Sequence, residues 1–211
     1  MSIKKDYYKK LADTVIKGFT KRHMEGHYCE TIEDAKELAM SLVSGNSTAA
    51  WGGSVTLDEV GILDALRARE DVTLYDRTKA STPEETKKIF HDSLSCDYYF
   101  MSSNAITSDG ELVNIDGTGN RVAALIYGPE NVIIIAGMNK ITKTVEEALD
   151  RVRNVASPQN CIRLNKNTPC SVNGVCGNCL ADTICDQIVI TRASRVPNRI
   201  KVILVGEELG F

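Results

Sequence analysis

The sequence holds no surplus of positive charge: 25 Lys and Arg stand against 28 Asp and Glu, for a net charge of −3. A nucleic-acid-binding domain presents a basic face. Here only Lys4-Lys5 and Lys9-Lys10 are locally basic, and they read as a solvated helix face. Long apolar runs are also missing. The longest, Val132–Ala136, has the length of a strand, not the roughly 18–20 residues of a membrane span. Met1–Lys10 is polar and no apolar segment follows it, so no secretory leader is read and the expected location is the cytoplasm. Histidine is scarce, with His23, His27 and His91 the three present. None stands beside a candidate Ser or Cys in a way that would assemble a nucleophilic triad. Internal repeats, low-complexity tracts and obvious linkers are absent as well.

What remains is the composition of one globular domain, 211 residues long with 43% hydrophobic and 25% charged residues. A chain of this length buries enough surface to fold without disulfides or metals. Tyr7, Leu11, Val15 and Phe19 recur at spacing four, which predicts a helix over Asp6–Met24. Thr31 caps a second helix running to about Val43, and Thr82-Pro83-Glu84-Glu85 opens another. Strands are read at Thr48–Trp51, Val72–Tyr75, Asp97–Met101, Glu111–Asn114, Val122–Tyr127 and Asn131–Ala136. A helix over Val145–Ala156 follows, and Gln187–Arg192 and Arg199–Val205 close the chain as a hairpin. Alternating strands and helices predict an α/β three-layer sandwich around a mainly parallel sheet. It is read as a single domain, 1–211, with an N-terminal helical part at 1–45 and a Cys-rich segment at 161–186.

Two glycine-rich loops are candidate binding elements. Gly52-Gly53-Ser54-Val55-Thr56 lies where a strand turns into a helix, and open α/β sheets bind ligands at such strand ends. The glycines admit a close ligand, and Ser54 and Thr56 offer hydroxyl groups. The alternative is a plain tight turn with Ser54 capping its own helix. The second loop follows the Asp97–Met101 strand. Asn104 and Thr107 are candidate hydrogen-bonders, Asp116 an acceptor, and Arg121 a fork for an anion, with Gly117, Thr118, Gly119 and Asn120 between them. Asp109-Gly110 reads better as a hairpin turn. For Asp116–Arg121, hairpin and ligand readings both stand.

Cys170, Cys176, Cys179 and Cys185 form C-x5-C-x2-C-x5-C. Four thiolates could close a zinc site or hold an iron–sulfur cluster, although only one CxxC pair is present. Redox-active and plain structural cysteines are the alternatives. Cys29, Cys96 and Cys161 read as buried core residues.

The second loop is similar to the sugar-phosphate isomerase branch of the NagB/RpiA/CoA-transferase-like fold, through Asp109-Gly110, Asn114 and Gly117-Thr118. The position of that branch's catalytic aspartate is Asn104 here. Asparagine is no general acid or base, so the resemblance carries the fold and not the isomerisation.

Over nearly its whole length the chain resembles the LUD-domain family, also called DUF162, the lactate-utilisation proteins. The resemblance rests on Trp51–Thr56, Asn104–Thr107 with Asp109-Gly110, and Asn114–Ala123. It continues in Gly137-Met138-Asn139-Lys140, Arg151–Asn154, Thr168-Pro169-Cys170 with the later cysteines, and Val205–Phe211. It implies the NagB/RpiA/CoA-transferase-like fold. It also implies a link to lactate oxidation, in which partner subunits carry iron–sulfur redox chemistry. The expectation is a stand-alone LUD domain that binds a phosphorylated or carboxylated metabolite between the two loops. A metal or iron–sulfur accessory role and a non-catalytic interaction module are the alternatives. A homodimer is a possible assembly, with the edge after Gln187 as a candidate contact.

Overall fold

A computed structural model of the chain describes residues 2–211. Ten strands form two sheets. The larger has six strands, all parallel, in the order β1 (Glu25–Cys29), β10 (Ile200–Val205), β7 (Asn131–Gly137), β4 (Tyr98–Met101), β2 (Ser47–Trp51) and β3 (Val72–Leu74). The smaller has the order β8 (Ile141–Thr142), β5 (Ala105–Thr107), β6 (Leu112–Asp116) and β9 (Gln187–Thr191), with β5–β6 and β6–β9 antiparallel.

The sequence of β7 explains its central place. Strand side chains alternate between faces. Val132, Ile134 and Ala136 enter one apolar core, and Ile133 and Ile135 enter the other. Its neighbour β10 does the same, with Val202 and Leu204 on one side and Ile203 and Val205 on the other. On the first face lie α1 (Ile3–Lys21), α6 (Asn120–Ile126) and the β5–β6 hairpin. On the second lie α2 (Ile32–Ser41), α3 (Val55–Val60) and α4 (Ile62–Arg67). The architecture is therefore the expected α/β arrangement of helices on both faces of a mainly parallel sheet. The N-terminal part at 1–45 is not helical throughout, since β1 lies between α1 and α2, which pack on opposite faces of the sheet. Threonine caps set several helix starts. Thr31 accepts from the Asp34 amide at 3.2 Å, and Thr82 from the Glu85 amide at 3.2 Å at the start of α5 (Pro83–Asp92).

Two strand expectations fail, and one strand was missed. Val122–Tyr127 is not a strand: α6 starts from Gly119 at φ 87° and buries Val122, Ala124 and Leu125 at helical spacing. Short runs rich in apolar residues fit either period, and here packing decides. Gln187–Arg192 and Arg199–Val205 are not a hairpin, because β9 pairs with β6 in the small sheet while β10 enters the large one. The strand β1 was not foreseen at all.

Asp109-Gly110 is a hairpin turn, as read. Its tightness has a packing cause. A Cβ on Gly18 of α1 would stand 2.4 Å from the Asp109 carbonyl, and one on Gly110 would stand 2.7 Å from the Gly18 backbone. Helix and turn thus meet backbone to backbone, far from any cleft.

The helix α7 (Val145–Arg151) continues through a wider π-type turn at Val152–Ala156 into α8 (Ser157–Arg163). Pro158 supplies the reason. It has no amide to donate and its ring crowds the preceding turn, so the helix widens there. A last short helix, α9 (Pro169–Asn173), lies in the Cys-rich segment. No described helix is long and apolar enough to cross a membrane.

Candidate ligand cleft

Five adjacent parallel strands, β10, β7, β4, β2 and β3, end on the same edge of the large sheet, and each delivers a residue to one cleft of about 330 Å³. Gly53, Ser54 and Thr56 follow β2, Arg77 follows β3, and Ser102, Ser103 and Asn104 follow β4. Lys140 comes from the 3-10 turn after β7, and Gly210 and Phe211 come from the tail after β10. The β6–α6 loop adds Asp116, Gly117, Thr118, Asn120 and Arg121. One face of α8 closes the opposite wall with Ser157, Asn160 and Arg163, three residues apart.

Most of the residues expected from the two loops do meet here. Three do not. Gly52 lies beneath the cleft, where a Cβ would come within 2.9 Å of the Arg121 side chain. Thr107 is buried in the hairpin, its hydroxyl accepting from the Glu111 amide at 2.9 Å. Gly119 serves as the left-handed start of α6. Ser54 caps its own helix, accepting from the Leu57 amide at 3.3 Å, as the plainer alternative for that loop had it.

Arg121 has a different role from the anion fork expected of it. Its guanidinium is buried, and the protein itself takes all its directions. One terminal nitrogen donates to Asn114 Oδ1 at 2.6 Å and Ser102 O at 3.2 Å. The other donates to Ile115 O at 2.5 Å and Asn104 Oδ1 at 3.1 Å. Nε faces Asp116 Oδ2 at 3.4 Å. Arg121 thus clamps the loop after β4 to strand β6. Asn104 finds its place in this clamp, because Oδ1 also accepts from the Ile115 amide at 3.0 Å. Burial pulls Arg121 below its ordinary pKa, and Asp116 opposes the shift.

The free cations lie elsewhere, and two of them were not singled out as site residues. Lys140 is 3% exposed, and its Nζ donates to Thr56 Oγ1 at 2.8 Å and Ser102 Oγ at 3.0 Å. Burial, then the Arg151 and Arg121 guanidinium groups, hold its pKa down to about 7, against an opposing pull from Glu59. Arg151 also fixes the two loops on which Lys140 depends, donating to Asn139 O at 3.1 Å and Asn104 O at 2.6 Å. The second cation is Arg77. The adjacent Asp76 carboxylate is engaged by Arg67 and by Thr78, which leaves Arg77 without a carboxylate partner among the described residues. Arg163, at the far wall, is braced by Asn160 Oδ1 at 3.0 and 2.8 Å. Asp116 is balanced by Arg121, so the cleft is positive. Two buried polar atoms in it lack a hydrogen-bond partner, Ser157 Oγ and Asp116 Oδ2.

The four cysteines expected to hold a metal are not gathered. Among the described residues no group of three or more His, Cys, Asp or Glu is placed to bind a metal ion. Cys170 is buried with its thiol 3.3 Å from Thr168 Oγ1 and beside Cys161. Cys185 packs on the small apolar cluster of Ala105, Val113 and Ala148. Cys176 lies against Leu149, Asp150 and Arg153 on another surface. Cys161 is near both Cys170 and Cys185, whereas Cys176 stands apart, so the four thiols of the C-x5-C-x2-C-x5-C phrase do not converge on a tetrahedral centre in this structure.

A family model described as the LUD domain matches residues 12–205. The chain belongs to the LUD domain family. Among solved structures, a DUF162 family protein from Deinococcus radiodurans is similar at a TM-score of 0.53 and 14% identity, over 94% of this chain and 98% of that one. This likeness shows the fold. A ribose 5-phosphate isomerase from Plasmodium falciparum matches at a TM-score of 0.34 and 14% identity, over 59% of this chain and 64% of that one. The eIF2B delta protein of Chaetomium thermophilum matches at a TM-score of 0.31 and 20% identity, over 66% of this chain and 51% of that one. No curated protein matches the chain. Within the LUD domain, the strand-end phrase Gly137-Met138-Asn139-Lys140 was the signal for Lys140: it follows a strand buried on both faces of the sheet.

Proposed function

We propose that this LUD domain binds a small phosphorylated or carboxylated metabolite in the strand-end cleft. One observation carries the reading. The only acid expected of the site, Asp116, is matched by Arg121, while Arg77 and Lys140 face the cleft with no carboxylate paired to them among the described residues. Ser157 Oγ supplies a further buried hydroxyl without a partner. Hydrogen bonds from charged groups to an anion contribute about 1.5–3 kcal/mol each. Two of them in a half-enclosed cleft suffice for specific binding. The link to lactate utilisation belongs to this reading, because a hydroxy acid is one member of the ligand class.

Heat stability tests it. Inorganic phosphate and small carboxylates, lactate among them, should raise the melting temperature in step with the logarithm of their concentration, by roughly 5–10 °C at a hundredfold excess over Kd. Arg77→Ala should abolish the shift and leave the ligand-free melting temperature unchanged, since Arg77 holds no carboxylate in the fold. Equal stabilisation of wild type and Arg77→Ala would refute the assignment.

A further inference from the structure

We infer that Lys140 is an imine-forming amine: its Nζ condenses with the carbonyl group of a small aldehyde or ketone that carries a phosphate or carboxylate. The inference rests on the anion-binding reading above and adds a reaction to it.

The geometry is specific. A neutral amine has two N–H bonds and one lone pair. Lys140 Nζ has two hydrogen-bond partners, the Thr56 and Ser102 hydroxyl oxygens, at 2.8 and 3.0 Å. The two hydroxyls hold Nζ at the wall of the cleft, and a neutral amine that donates to both keeps its lone pair unshared. Gly210 packs beside this group, and a Cβ there would stand 2.6 Å from Thr56 Oγ1 and 3.3 Å from Nζ, so a larger residue would crowd the amine. The surroundings favour the unprotonated form. The amine is buried, Arg121 and Arg151 lie near it, and no carboxylate forms an ion pair with it among the described residues. Glu59 is the one acid that pulls the other way. A desolvated lysine beside other cations is the arrangement that activates an amine toward carbonyl carbon. Arg77, on the same cleft, is placed to hold the anionic end of such a compound.

The step balances without an added oxidant or reductant. The Nζ lone pair adds to the carbonyl carbon, and the oxygen takes up the proton released from nitrogen to give a carbinolamine. The hydroxyl then leaves as water, with the second amine proton, and a C=N bond forms.

The test uses the intact protein, sodium cyanoborohydride and two probes at pH 7: glyoxylate for the carboxylate class and glycolaldehyde phosphate for the phosphate class. Cyanoborohydride delivers hydride to the imine carbon and fixes the adduct, which peptide mass mapping then assigns. Lys140 should be labelled at least about tenfold faster than exposed lysines such as Lys143 in one arm or both, because far more of it is free base at neutral pH. Excess sulfate should suppress that labelling and leave Lys143 unaffected. Labelling of Lys140 no faster than Lys143 in both arms overturns the inference. If the probes still stabilise the protein against heat, anion binding stands and imine formation alone fails. If they do not, both readings fall.

Discussion

Arg121→Ala should destabilise the fold by about 3–5 kcal/mol, the range for breaking a buried ion pair. For a domain of this size that is a fall in melting temperature of roughly 10 °C or more. The reason lies in what the guanidinium leaves behind. Ser102 O, Ile115 O, Asn104 Oδ1 and Asn114 Oδ1 all lose a donor, and Asp116 is left as a carboxylate only 9% exposed without its counter-charge. Arg121→Lys should recover little of this, since one ammonium cannot span acceptors on two strands. An arginine serving as an open anion fork would behave in the opposite way, with stability kept and only ligand response lost. Urea unfolding of the two variants beside wild type distinguishes these outcomes.

Lys140→Met should have the reverse effect and stabilise the ligand-free protein, on the order of 2 kcal/mol at pH 7. A buried amine is held in the fold at a pKa of about 7, against an ordinary value of 10.5. Between those two values the unfolded chain binds a proton on this lysine that the folded chain does not. Stability of the wild type therefore rises with pH across that window on account of Lys140, and below about 7 the full penalty applies. The margin of Lys140→Met over wild type should be largest at pH 7 and below, and should shrink steadily toward pH 10. Denaturant titrations at several pH values measure it. A margin that is constant with pH would mean that the amine keeps its proton in the fold. The same variant should bind anions more weakly at pH 7 and below, so that the residue weakens the fold and serves the cleft.

The parts of the fold visible in the sequence are those with a strong local period or a capping signal. The Val-Ile-Ile-Ile run of β7 reads as a strand buried on both faces because it is short and all β-branched, and Thr31 and Thr82 mark helix starts by chemistry that acts within one turn. The helix α6 was misread because Val122–Tyr127 is too short to show its period, and the left-handed Gly119 that starts it also suits a hairpin. The strand β1 escaped because Glu25-Gly26-His27-Tyr28 is a half-buried edge with little apolar content.

The candidate site divides in the same way. The glycine loops were legible, since their phrases are contiguous. Arg121 was legible as important but not in its role, because its guanidinium meets groups that lie between five and nineteen residues away in sequence. Arg77, Lys140 and Ser157 reach the cleft from three separate connections. The parallel sheet brings the ends of β3 and β7, and with them Arg77 and Lys140, to one edge, and α8 carries Ser157 to the facing wall.

Sulfate binding followed by calorimetry from pH 6 to pH 8.5 tests the central claim most directly, because the charge of sulfate is constant over that range. The account predicts saturable binding that weakens as pH rises through about 7, where Lys140 loses its proton. In Lys140→Met the pH dependence should disappear, and in Arg77→Ala binding should be lost. Sulfate that fails to bind at any of these pH values, or that binds Arg77→Ala as well as wild type, would contradict it.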